Sequence, residues 1–232
     1  MTDIVVHGIS FSPYVRSVRM ALEIKGLPYR DQPIELRPGP GGLGSPEHRE
    51  LHPFGRVPIL DDGGFRIYET QAILRYLDAR YPQAPLQPTD PQALGRMSQA
   101  MGIFDCYMFT QSIRPIGAER VVKPALRGVA PDEAIVAQAL PATETCLTAL
   151  ARVLGDQPFF AGDALSMADL ILAPQFHLLT PVPEFRALLD GTRLRPWLDR
   201  MLAHPSMVAT PVPELNLPAS LRSLETAWEM AH

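Results

Sequence analysis

The stretch LHPFGRVPILDDGGFRIYETQAILRYL, residues 51–77, decides the fold. Two short apolar runs, 57–60 and 66–68, flank Asp61-Asp62-Gly63-Gly64, a turn by composition. They lie too close for a crossover, so they read as an antiparallel hairpin. Glu69-Thr70 then opens a helix with Ile73 and Leu77 on one face. Pro58 would break a central strand unless it sits at the strand's start, so Val57-Pro58 invites a cis peptide beside a strand edge. An ordinary trans proline at a strand start fits the same letters.

Working back towards the N-terminus, Ile4-Val5-Val6 reads as a strand and 14–25 as a helix with Val15, Val18 and Leu22 on one face. Gly26 suits the C-cap and Pro28 bars continuation. Residues 29–36 read as a second strand, placed at an edge by Pro33. The order is therefore βαβ followed by ββα, closing near Tyr81-Pro82. Between the halves lies a loop with four glycines from Gly39 to Gly44, then Ser45-Pro46 as the start of a short helical turn.

Working forward, 82–91 is a proline-rich linker, and Asp90-Pro91 restarts helix. No strand is expected beyond it. Helices are predicted over 92–127, 131–154, 166–180, 184–190, 194–203 and 219–230. Gly95 and Gly102 are expected at close helix contacts. Ser166 and Asp169 have capping-box spacing, with Leu165 and Leu170 as its hydrophobic staple, a device of folding. The sequence thus predicts a small α/β domain over 1–82, a linker over 83–91 and an all-helical domain over 92–232.

Composition excludes several classes. The chain has 232 residues, 46% hydrophobic and 20% charged, with a net charge of −4. No basic field points to nucleic acid, no apolar run reads as a membrane span, and the N-terminus does not read as a signal peptide. Cys106 and Cys146 form no metal-binding pattern and are expected as reduced core thiols of a cytoplasmic protein; no metal is expected.

Three features point to chemistry. Ser12 stands at the turn from first strand to first helix, where a hydroxyl and a helix N-terminus lower the pKa of a thiol from about 8.5. Ser10 is an alternative for that part, and Arg16 adds positive field. Thr70, at a helix start, suits a carboxylate, and Glu69 suits an ammonium group; a ligand with both on one carbon is an α-amino acid. Each of these residues alone also fits a plain turn or cap.

Their order is what carries weight. Residues 11–29, 51–77, 162–174 and 195–207 together resemble the glutathione S-transferase family, of bacterial-like serine type, over nearly the whole chain to about residue 208. The resemblance implies a thioredoxin-like N-terminal domain, glutathione as co-substrate, a homodimer, and addition, substitution or peroxide reduction in detoxification or catabolism. It places Ser12 at the thiolate, Val57 and Pro58 at the cysteinyl unit, Glu69 and Thr70 at the γ-glutamyl end, and Arg56 and His52 towards the glycyl end. His48, nearby, is expected at the surface. The implied pocket for a small hydrophobic electrophile comprises Phe11, Phe104, Tyr107, Met108 and Gln111, which equally suit a core or an interface, with Trp228 as a closing residue or an anchor. The glycine-rich loop is either a flap or plain surface. Phe11-Ser12-Pro13 lacks the double serine usual in maleylacetoacetate isomerases, which disfavours that class. Two alternatives stay open: a glutathione-dependent disulfide reductase or peroxidase, and a non-catalytic glutathione-binding protein.

Overall fold

The computed structural model describes residues 3–36 and 39–212. The helix expected over 219–230, with Trp228, lies outside them. The chain divides into two units: one runs to Gln87 and also takes in the segment from His204, while the other spans Pro88–Ala203.

The first unit is built on a four-stranded sheet of order β2-β1-β3-β4. Its elements are β1 (Ile4–Gly8), α1 (Pro13–Lys25), β2 (Tyr29–Pro33), α2 (Pro46–Leu51), β3 (Ile59–Asp62), β4 (Phe65–Tyr68) and α3 (Thr70–Arg80). β2 pairs parallel to β1 with Ile4 opposite Tyr29, and Pro33 sits on this edge strand. β3 runs antiparallel to both β1 and β4, with Ile59 opposite His7 and Tyr68. The period of two separates the faces. Ile4, Val6 and Leu60 occupy one, and they are buried together with Val15, Val18 and Leu22 of α1 and Ile73, Leu74 and Leu77 of α3. Each such side chain contributes about 1.5–3 kcal/mol of burial. The other face carries His7, Ile59, Asp61 and Tyr68, and His52, just beyond α2, lays its ring against Tyr68 at 4.5 Å between centroids.

Local devices fix α1. Gly8 lets the helix approach: a Cβ there would come within 2.4 Å of Val15 Cγ2. At the far end Gly26 takes φ 63°, and the Leu27 N–H donates to the Leu22 carbonyl, a Schellman closure. Lys25 is buried, and its ammonium donates to Asp78 at 2.8 Å and to the carbonyls of Tyr81, Gln83 and Ala84. The sequence placed everything beyond the linker in the helical domain. Instead a short helix, α11 (Pro205–Ala209), packs within the first unit. Buried Arg16 donates from Nη2 to the Met207 carbonyl at 2.8 Å. Arg16 is therefore an anchor for this segment, and burial lowers its pKa to about 10.

The second unit is helical throughout. α4 (Pro91–Ile103) continues without a break through π-helical turns at Phe104–Ile113, α5 (Arg114–Gly117), π-helical turns at Ala118–Val122 and α6 (Lys123–Arg127). Each π stretch ends just before a residue-proline step, Arg114-Pro115 or Lys123-Pro124, where a regular turn would lack an N–H and meet the ring. There follow α7 (Glu133–Leu154), α8 (Met167–Leu179), α9 (Pro183–Asp190) and α10 (Leu194–Leu202). Among the described residues α7 alone is long and apolar enough to cross a membrane by length and composition, an apolar run the sequence reading did not register. Its side chains Val136, Leu147, Leu150 and Leu154 are core residues.

The capping box at α8 is present. Asp169 is buried and accepts four hydrogen bonds: from the Ser166 N–H and hydroxyl, the Phe160 N–H and the Trp197 indole, at 2.8–3.1 Å. Burial nonetheless holds its pKa above the usual carboxylate range. Three expectations are corrected. A Cβ at Gly95 or Gly102 would meet nothing within 4 Å, so neither glycine marks a close contact. Cys106 is exposed, and only Cys146 is a buried thiol. Phe104 and Met108 are fully buried in the helical core, since the face they share turns inward, so they line no open pocket.

Candidate functional site

The residues that the sequence singled out for glutathione lie in the first unit. Ser12 ends the β1–α1 turn in extended conformation and is the N-cap of α1. Its Oγ accepts from the Val15 N–H at 3.4 Å, and Pro13 at the first helical position has no N–H to satisfy. An oxygen that accepts there still keeps its hydroxyl hydrogen to donate.

Val57-Pro58 is a cis peptide. It precedes Ile59, where the β3 ladder begins. Glu69 follows β4 and precedes α3 with φ 70° and ψ 116°, one of two described non-glycine residues at positive φ. Such a backbone costs about 1–3 kcal/mol. Glu69 makes no side-chain cap, and its carboxylate is 63% exposed. Thr70, nearly buried, is the first helical residue, so the free N–H groups of α3 open beside both side chains.

The loop below is held more tightly than the sequence suggested. His48 is not at the surface; it is 2% exposed. Its Nδ1 accepts from the Gly44 N–H at 2.8 Å, and its Nε2 lies 3.0 Å from the Arg56 carbonyl. No single letter announces this, because both partners are backbone groups. His52 is buried as well, with Nε2 3.9 Å from a Glu69 carboxylate oxygen and Nδ1 without a partner among the described residues. Burial lowers the pKa of both histidines; for His52 the neighbouring His48 and Arg56 lower it further. The structure thus sets His52 beside Glu69, while the Arg56 side chain is exposed. The glycine-rich loop is pinned by Leu43 N–H to Glu35 carbonyl at 2.8 Å and by Arg49 Nε to Gly44 carbonyl at 3.0 Å.

The residues expected for the second substrate fall in both units. Phe11 is half-buried in the first unit. Tyr107 and Gln111 line a groove of about 460 Å³ in the helical unit, with Ile103, Pro141, Cys146 and Ala149.

Fold and site together define a thioredoxin-like domain followed by an all-helical domain. Residues 6–85 match the model of the glutathione S-transferase N-terminal domain, and residues 133–200 that of the C-terminal domain. The chain is 33% identical to maleylacetoacetate isomerase of Pseudomonas aeruginosa, over 88% of this chain and 93% of that one. It is 34% identical to a zeta class glutathione S-transferase of Euphorbia esula, over 69% and 68%. The solved structure of glutathione S-transferase III in apo form superposes with a TM-score of 0.80 at 26% identity, covering 93% of this chain and 98% of that one. The chain belongs to the glutathione S-transferase family and is a transferase.

Proposed function

We propose that the protein binds glutathione in its first unit, holds it as the thiolate through Ser12, and directs it at a small hydrophobic electrophile. The observation that carries this reading is the Ser12 hydroxyl at the N-terminus of α1, with its oxygen engaged by Val15 N–H. A donor and a helix N-terminus both favour the anion. A drop in thiol pKa from about 8.5 to about 6.5 would raise the thiolate fraction at pH 7 from ~3% to ~75%. That gain, about 25-fold, sets the scale of what Ser12 supplies; proximity to the electrophile supplies the rest.

In this reading the backbone at Val57-Pro58 pairs with the cysteinyl unit. Glu69 takes the γ-glutamyl ammonium, and Thr70 with the α3 N–H groups takes its carboxylate. The unusual backbone of Glu69 supports that role, since it turns an acid out of the helix instead of capping it. Arg56 takes the glycyl carboxylate, with His52 nearby. The chemistry needs no metal. The protein is taken as a cytoplasmic homodimer, the second copy covering apolar surface the chain leaves open, namely Phe54, 66% exposed, and the groove beside Tyr107.

A second reading is favoured by the 33% identity to maleylacetoacetate isomerase: reversible thiol addition to an unsaturated acid, rotation and release. Phe11-Ser12-Pro13 in place of a double serine speaks against it. Glutathione consumed with an aryl halide supports conjugation; an isomerised acid with glutathione unchanged supports the second reading.

The deciding experiment titrates glutathione into wild type and Ser12→Ala and follows the ultraviolet thiolate band. A band that appears on binding and shrinks in the variant is expected. Binding without a band in either protein removes Ser12 as activator and leaves disulfide reduction or simple binding. No binding overturns the reading.

A further inference from the structure

We propose that His48 is a positioning residue of the glutathione site, a neutral clasp that joins the glycine-rich loop to Arg56 and opens in acid. The proposal rests on the glutathione reading above only for its effect on ligand binding. The clasp itself stands on geometry.

The two contacts of His48 demand opposite roles. A backbone N–H can only donate, so the 2.8 Å contact from Gly44 makes Nδ1 the acceptor. A backbone carbonyl can only accept, so the 3.0 Å contact to Arg56 makes Nε2 the donor. One tautomer of the neutral ring meets both, and imidazolium meets only the second. A proton on Nδ1 would face the Gly44 N–H directly, at a site with little water to relieve it.

The segments so joined are also in contact. A Cβ on Gly55, which has φ 60°, would lie 3.0 Å from the Gly44 Cα. Arg49 grips the same loop from the other side, donating to the Gly44 and Pro53 carbonyls. Thus α2 holds residues 44 and 53–56 through its side chains, and Val57-Pro58 follows directly. Release of the Gly44 bond loosens the backbone that presents Arg56 and Val57.

The charged groups around the ring oppose its protonation. Arg49 on α2 and His7 of β1 act against the proton, while the hydrogen bond to the Arg56 carbonyl favours it; His52 stands just beyond α2. His7 is itself 2.8 Å from Asp61 of β3, which Arg66 of β4 also holds. Glu47 on α2 accepts from the Gly41 N–H, and Glu69 lies on the far side of His52. Burial, helped by Arg49 and His7, outweighs the Arg56 carbonyl and lowers the pKa of the ring.

The test uses S-methylglutathione, which has no thiol to titrate, and calorimetry from pH 7.5 to 5.0 on wild type, His48→Gln and His48→Ala. Wild-type affinity is expected to fall about tenfold across this range. Gln carries an acceptor and a donor side by side and does not titrate there, so His48→Gln should recover most of the affinity that His48→Ala loses and show a clearly shallower pH profile than wild type, the remainder belonging to His52. The loss in His48→Ala is expected in KM for glutathione rather than in kcat. The ligand-free protein is followed in parallel by ring 15N shifts of His48 and exchange of the Gly44 amide. Protection of Gly44 should fall as the ring titrates. If S-methylglutathione binds nowhere in the range, the glutathione reading fails while these two probes still judge the clasp. A Gly44 amide whose protection ignores the His48 titration, or a His48→Gln profile that follows wild type, overturns the proposal.

Discussion

Two helix N-termini in this protein receive opposite treatment. At α8 the start is closed: Ser166 and Asp169 satisfy each other, and the carboxylate also takes the Phe160 N–H and the Trp197 indole. At α3 the start is open: Glu69 makes no cap, sits at positive φ and turns its carboxylate outward. Both pair a hydroxyl residue with an acid. Burial separates them. A helix end whose donors are all met from within contributes to stability, whereas one left exposed at a conformational cost is available to a ligand.

The comparison breaks most readily at Asp169. Asp169→Ala strands a buried indole N–H, two backbone N–H groups and a hydroxyl, and should lower unfolding free energy by about 3–5 kcal/mol in urea titration. A loss under 1 kcal/mol would mean that the closed end is no keystone. The α1 start lies between the two, since Ser12 caps it through a single long bond from the Val15 N–H. Ser12→Ala should reduce kcat/KM by ~10–100-fold, about 1.4–2.7 kcal/mol, measured as conjugation of an aryl halide. Its cap bond is long at 3.4 Å, so the stability cost should stay below about 1 kcal/mol. Equal losses in both measures would class Ser12 with Ser166.

Glu69→Gly sharpens the contrast through its sign. Glycine tolerates φ 70°, so the variant should gain up to about 1 kcal/mol of stability while S-methylglutathione affinity falls at least about tenfold. A variant that loses stability would show the backbone at 69 to be no burden. The smallest effect expected is on stability against pH. His48 and His52 have folded pKa values below the usual value near 6.5. Their contribution is therefore whole above that pH and declines as the pH falls below it, when the unfolded chain takes up protons first. Urea midpoints should drop between pH 7 and 5, and less so in His48→Gln.

Much of this was legible in the letters. Val57-Pro58 before an apolar pair announced a strand start, and Ser166 with Asp169 announced a buried cap, because in each case neighbouring residues supply the constraint. The readings that failed depend on remote backbone. His48 looked like a surface histidine because its partners, the Gly44 N–H and Arg56 carbonyl, have no sequence signature. Phe104 and Met108 share a helical face in any reading, and only packing tells a core face from a pocket face. Gly95 and Gly102 were read by propensity alone, and space around them was what mattered. The helix at 205–209 hid in a proline-rich run whose Pro205 in fact starts it.

The anchoring of Met207 by Arg16 has a consequence for biosynthesis. The first unit is assembled from two pieces of chain, with Pro88–Ala203 of the helical unit encoded between them. At roughly 5–20 residues per second, a ribosome that has finished Gln87 works on for many seconds before it reaches Pro205. Through that interval the nascent α1 carries a guanidinium destined for the interior with its carbonyl partner not yet made. A message cut short after Ala203 therefore yields a first unit without the helix whose Met207 carbonyl receives the Arg16 guanidinium.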